Sequence, residues 1–259
     1  TISTVIINTD IPGRTDKPMP NKTVAADASV NAAANEAATQ KKVPFAVAEA
    51  YKSIRTNLIS LLEKDGKKVI VISSPNASEG KSTTSINTAI SLSQLNKKVL
   101  LIDADAHRPS VHHKLKLDNS VGLMELIAGT AEPDNAIKHY NSSLDIITTG
   151  DLPQNATEMF STPEFDELLK LFREKYDCII LDAPPINVLS DALVMGQKAD
   201  GMVLIIRAGV TTHENLRRAL SSAEVLDIDI LGLILNGSDY GTKRYYKKYY
   251  RSYNGKYSY

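Results

Sequence analysis

The chain has 259 residues, with 30 basic and 30 acidic side chains and a formal net charge of zero. A hydrophobic fraction of 42% and a charged fraction of 23% are those of an ordinary globular chain, and a single cysteine excludes an intrachain disulfide framework. No stretch reaches the roughly 18 consecutive apolar residues of a membrane-spanning helix, and none has the order of a signal peptide, so the residues read as cytosolic in character.

Residues 1–44 read as a flexible N-terminal segment or linker. TISTVIINTD has the composition of a short strand, but Pro12, Gly13, Pro18 and Pro20 then interrupt any regular element. Residues 25–38 hold eight alanines, which favour a helix and offer nothing to anchor a core. From Pro44 the pattern tightens. AVAEAYKSIRTNLISLLEK predicts an amphipathic helix, with Ala50, Ile54, Leu58, Leu61 and Leu62 at helical spacing. VIVIS (69–73) then opens a series of apolar runs: 98–103, 144–149, 177–182, 201–207 and 230–236. They alternate little, as strands covered on both faces do. Helical patterns at 82–95, 163–175, 188–198 and 212–227 separate most of them. The order predicts an α/β fold, a mostly parallel central sheet with helices on both faces, over residues 45–239.

The most informative stretch is VIVISSPNASEGKSTTSINTAISL. A buried-type strand enters a polar loop, then Gly80-Lys81-Ser82, then a helix, which is the context a Walker A phosphate loop requires. Gly80 lets the backbone turn closely around a phosphate, N–H groups at the helix start face the anion, Lys81 supplies a mobile charge and the Ser82 hydroxyl suits Mg²⁺. Pro75 stands where the pattern has its first glycine. There is no GxGxxG, so a dinucleotide fingerprint is not supported.

Ligands in parallel sheets bind at the carboxyl ends of the strands. Asp103 and Asp105 end KVLLIDAD, and Asp182 ends DCIILD. If those strands neighbour the phosphate-loop strand, three carboxylates converge where they can hold Mg²⁺ or accept a hydroxyl proton.

Net neutrality hides an asymmetry. After Asp239 there is no acidic residue, and residues 240–259 carry Lys243, Arg244, Lys247, Lys248, Arg251 and Lys256 together with eight of the eleven tyrosines. This basic, tyrosine-rich tail has no apolar core pattern and reads as exposed. By itself such a tail also suits nucleic acid or a membrane surface.

From about Phe45 onward the chain resembles the bacterial tyrosine kinases, the autophosphorylating kinases of capsule and exopolysaccharide production. Ser73 through Thr83 is similar to their Walker A loop, LLIDADAHRP to their Walker A′ motif, and IILDAPPINVLSDA, with Asp191, to their Walker B region. GLILN and the tyrosine-rich tail also match. The resemblance implies a P-loop NTPase fold of the MinD/ParA kind, with ATP and Mg²⁺ as cofactors. It implies nucleotide contacts at Ser78, Glu79, Gly80, Lys81, Ser82, Thr83 and Asn236, and catalytic roles for Lys81, Asp103 and Asp105, Asp103 being the expected hydroxyl acceptor. Ser82, Asp105 and Asp182 would serve the metal. The phosphoacceptors would be Tyr245, Tyr246, Tyr249, Tyr250, Tyr253, Tyr257 and Tyr259, reached on a neighbouring subunit. The family's ring-assembly helix motif falls on Glu49, Lys52 and Arg55. The implied partners are further copies of the chain in an octameric ring, a transmembrane activator or chain-length adaptor and a tyrosine phosphatase, with no nucleic acid. The implied location is the inner face of the plasma membrane.

The chain departs from the family at two positions. Lys52 replaces an arginine and loses its planar fork. His107 stands where the family has arginine, with Arg108 beside it. Partitioning ATPases carry an extra lysine where this chain has Asn76, which favours the kinase branch. A partitioning-type ATPase and a nonenzymatic nucleotide-gated scaffold stay as alternative readings, distinguished by hydrolysis without phosphotyrosine and by binding without turnover. Cys178 reads as a core residue. His112 and His113, adjacent on a helix, are expected to face apart. GLMELIAG (122–129) reads as a packed helix, and Tyr51, Tyr140 and Tyr176 as packing residues.

Overall fold

A strand buried on both sides sends alternate side chains into two separate cores. In β2 (Val69–Ser73), Val69 and Val71 enter one core, and Ile70 and Ile72 the other. The same division holds in β3 (Val99–Asp103), where Leu100 and Ile102 oppose Val99 and Leu101. In β6 (Cys178–Asp182), Ile179 and Leu181 oppose Cys178 and Ile180. The computed structural model describes residues 3–6, 45–152 and 156–237. Within them the strands β1 (Ser3–Ile6), β4 (Ile137–Asn141), β5 (Leu144–Ile147), β7 (Gly201–Arg207) and β8 (Ile230–Asn236) complete one sheet, in the order β1-β8-β7-β2-β6-β3-β5-β4. Every neighbouring pair is parallel except β4 with β5.

Helices α1 (Phe45–Asp65) and α2 (Lys81–Ser93) cover one face, burying Tyr51, Ile54, Leu58 and Leu62 from α1 and Ile86, Ala89 and Leu92 from α2. The other face carries α4 (Leu123–Ile127), α6 (Ala156–Phe160), α7 (Pro163–Lys175), α8 (Asp191–Lys198) and α9 (His213–Val225). Phe160, Phe165 and Phe172 are fully buried there. Truncating any one of them to Ala would cost about 3–5 kcal/mol. Local chemistry starts the helices where they begin: α7 has Pro163 in its first turn with Glu164 and Asp166, and basic residues in its last. At α9 the Thr212 hydroxyl accepts the Asn215 N–H at 3.2 Å. Two short helices, α3 (Val111–Leu115) and α5 (Pro133–Ala136), fill the connections.

The apolar runs expected as strands all lie in the sheet, and a strand also forms within TISTVIINTD, where Ser3–Ile6 pairs with Gly232–Leu235 of β8. β4 was not anticipated: IKHYN is half-buried to exposed and has no apolar run. No described helix is long and apolar enough to cross a membrane.

Candidate active site

The phosphate loop joins β2 to α2 and is shaped from below. Gly80 sits at φ 101°, in the left-handed region, and a Cβ there would meet Asn236 Nδ2 at 2.1 Å. The Asn236 amide in turn donates to the Glu79 carbonyl at 2.9 Å. The Glu79 side chain is fully buried. It accepts the Asn76 N–H at 2.8 Å, the Asn76 side-chain amide at 3.3 Å and the Thr211 hydroxyl at 2.5 Å. Arg207 donates to the Ser78 carbonyl at 3.1 Å. Glu79 and Asn236 therefore brace the loop from behind, while Ser78, Gly80, Lys81, Ser82 and Thr83 line the cleft in front of it.

That cleft, about 240 Å³, is bounded on its other side by Asp105, Arg108, Ser110, Lys114 and Pro185. Lys81 Nζ is 2.6 Å from Asp105 Oδ2 and 3.4 Å from Ser82 Oγ. Burial would depress the Lys81 pKa, but Asp182, Asp105 and Asp103 outweigh it and hold the ammonium above its ordinary range.

The three aspartates play different parts. β6 is the neighbour of β2, and β3 lies one strand further out, with Asp103 in register with Asp182. Asp182 is fully buried; one oxygen accepts the Ser85 hydroxyl at 2.9 Å and the other has no hydrogen-bond partner. Burial raises its pKa, against the pull of Lys81. An orphaned buried carboxylate oxygen, with the Ser82 hydroxyl in the cleft wall, fits a hard divalent cation bound jointly with phosphate oxygens. It does not make a cage by itself: among the described residues no group of three or more His, Cys, Asp or Glu forms one. Asp103 is buried and does not line the cleft. Its Oδ2 accepts the N–H groups of Ser110 at 3.0 Å and Val111 at 2.9 Å, where α3 begins. Burial, then the charge of Asp182, pushes its pKa up to about 7. Of the pair in the DAD motif, Asp105 is the one that reaches the cleft.

His107 and Arg108 point to different neighbours. Arg108 lines the cleft, whereas His107 Nε2 lies 3.1 Å from Asp191 Oδ2. Arg108 belongs to the LLIDADAHRP motif but had no expected role in the cleft, and Lys114 lies outside every motif. They stand three and nine residues after Asp105, and only the fold shows that the chain brings both back to the cleft. On α1, Glu49 and Lys52 pair with each other at 2.6 Å. Arg55 donates within its own chain, to the Ser91 carbonyl at 2.9 Å and Gln94 Oε1 at 3.4 Å, at the end of α2. Tyr245, Tyr246, Tyr249, Tyr250, Tyr253, Tyr257 and Tyr259 lie outside the described residues.

Cys178 is buried, and burial pushes its thiol up to about 12, which suits a core residue. Two expectations are corrected. The rings of His112 and His113 do not face apart: their centroids are 3.9 Å from each other, tilted by 39°. Tyr140 is 42% exposed on β4, while Tyr51 and Tyr176 pack as expected.

Residues 67–224 match the protein family described as AAA domain. The chain is 38% identical over 200 residues to "Tyrosine-protein kinase YwqD" of Bacillus subtilis (strain 168), covering 74% of this chain and 84% of that protein. It is 31% identical over 206 residues to "Tyrosine-protein kinase etk" of Escherichia coli (strain K12); the match covers 76% of this chain but only 28% of that longer protein. The solved kinase domain of Escherichia coli tyrosine kinase ETK superposes with a TM-score of 0.72 at 31% identity, over 74% of this chain and 76% of that one. A septum site-determining MinD from Pyrococcus horikoshii, with Mg-ADP, reaches a TM-score of 0.57 at 23% identity over 69% of this chain and 72% of that one; this likeness concerns the fold alone.

Proposed function

This chain belongs to the bacterial tyrosine-protein kinases, and on that premise we propose that it transfers the γ-phosphate of ATP to tyrosines of its own C-terminal segment, presented by a neighbouring subunit. The observation that carries this reading is the cleft where Lys81, Ser82 and Asp105 meet in front of the phosphate loop, with the unpartnered oxygen of Asp182 behind.

Backbone N–H groups of the loop and the start of α2 bind the phosphates, and Lys81 grips their oxygens. A triphosphate in the cleft competes with Asp105 for the Lys81 ammonium. Asp105 is then the carboxylate released beside the transferring group. A tyrosine phenol, with an ordinary pKa of about 10, needs such an acceptor at neutral pH. Its oxygen forms the new bond to phosphorus, the bond to the β-phosphate oxygen breaks, ADP leaves and the phenol proton passes to Asp105. Asp103, committed to the start of α3, supports the turn from within. Ser82 and Asp182 are the residues that would hold Mg²⁺, whose charge would neutralise phosphate oxygens.

The tail supports the same reading from its chemistry. Each phosphate adds roughly −1.5 to −2 charge, so a few of them reverse the six positive charges of residues 240–259. Unmodified tails would hold subunits in a ring at the membrane, beside a transmembrane activator, and phosphorylation would release them, with a tyrosine phosphatase restoring the start. Control of capsule or exopolysaccharide synthesis is the role this cycle would serve.

The test is the intact mass of the purified chain after incubation with ATP and Mg²⁺, beside Lys81→Met. We expect a ladder of phosphate additions mapping to residues 245–259, absent in the variant. Free phosphate with an unchanged protein mass would instead identify a hydrolytic switch.

A further inference from the structure

The geometry points to His107 as a positioning residue: through the buried carboxylate of Asp191 it holds the turn 105–108, and with it Asp105, against Lys81. The inference rests on the kinase reading above.

The turn is closed around Asp105, whose Oδ1 accepts the N–H groups of Arg108 at 2.9 Å and His107 at 3.3 Å while Oδ2 meets Lys81 at 2.6 Å. Any shift of the turn moves Asp105 in the cleft. On the side away from the cleft, the His107 ring meets Asp191 at 3.1 Å. Asp191 is fully buried and is the first residue of α8. Its other oxygen accepts the Thr157 hydroxyl of α6 at 2.5 Å. One carboxylate thus fastens three segments: the turn after β3, the start of α8 and the start of α6.

Arg108 cannot take over this task, because it lines the cleft. An arginine at position 107 can, since its fork suits a carboxylate. Both residues solve one problem: a buried carboxylate must keep its partners, or its desolvation goes uncompensated. A misplacement of about 1 Å in a reacting constellation costs on the order of a hundredfold in rate. A partly loosened turn should cost less.

The experiment compares the full chain with His107→Ala, His107→Arg, Asp191→Asn and the double variant His107→Ala/Asp191→Asn. Three quantities are read: the single-turnover autophosphorylation rate at saturating ATP, the affinity for a fluorescent ADP, and the melting temperature without nucleotide. We expect His107→Ala to slow phosphorylation about tenfold while ADP affinity stays within about twofold, because the phosphate loop is untouched. His107→Arg should recover most of the rate. The double variant should be no slower and no less stable than the worse single one, because both act through one link. Wild-type rates in His107→Ala, no rescue by Arg, or fully additive losses in rate and melting temperature would overturn the inference. Absence of phosphorylation in the unaltered chain would defeat the kinase reading instead, and the melting-temperature cycle would still decide whether His107 and Asp191 are coupled.

Discussion

Gly80 is held from two directions: by its positive φ and by Asn236, whose amide occupies the space a Cβ would need. Gly80→Ala must therefore both strain the backbone and push away the side chain that supports the Glu79 carbonyl. We expect nucleotide affinity, measured by calorimetry, to fall at least about tenfold, with a melting temperature lower by several degrees. Gly80-Lys81-Ser82 could be read in the sequence because its meaning is local: a turn, an ammonium and a hydroxyl at fixed spacing. The inward turn of Glu79 could not. Its partner Thr211 is 132 residues away, and a glutamate in a polar loop gives no sign that it is buried. The division between His107 and Arg108 was hidden for the same reason, since adjacent positions differ only in what the fold places opposite each.

At the scale of elements, strands buried on both faces announce themselves, and those that are not stay silent. β2, β3 and β6 are runs of apolar residues because each side of the sheet is covered. β4 is an edge strand with a bulge between His139 and Asn141, and its composition follows solvent rather than a core. What positions β2 is also polar. Asp200, just before β7, accepts the N–H groups of Lys68 and Val69 at 2.7 Å each, and takes both arms of Arg173 at 2.7 and 2.9 Å. Burial alone would raise the Asp200 pKa, but Arg173 and the two N–H groups outweigh it and hold the carboxyl below its ordinary range. The folded pKa then lies under the unfolded value of about 3.9. The stabilisation is present above that value and is lost as the pH falls through the folded pKa. Asp200→Asn should cost about 2 kcal/mol at pH 7, and its unfolding curve should converge with that of the parent chain in acid below about pH 4. A constant gap down to pH 2 would assign the effect to packing rather than charge.

For the whole molecule, the sheet sorts its chemistry by end. Asp103 and Asp182 are the last residues of β3 and β6, and Gly80, Lys81 and Asp105 follow the carboxyl ends of β2 and β3, while the two cores lie on the faces of the sheet. Helix α1, which carries the residues expected to assemble a ring, is fastened within its own chain to α2, whose first residues are Lys81 and Ser82. The Asn87 amide donates to the Tyr51 hydroxyl at 3.4 Å, the Ser91 hydroxyl to the Tyr51 carbonyl at 3.3 Å, and Arg55 to the Ser91 carbonyl. Arg55 thus acts inside the chain, whatever its further donors meet across an interface. Arg55→Ala should lower the melting temperature by about 3 °C through the loss of a hydrogen bond from a charged donor. The decisive measurement is the dependence on protein concentration, because a contact within one chain is independent of it and a contact between chains is not. Equal shifts in dilute and concentrated samples would place Arg55 in the coupling between α1 and the phosphate-binding helix. A shift that grows with concentration would place it chiefly between subunits.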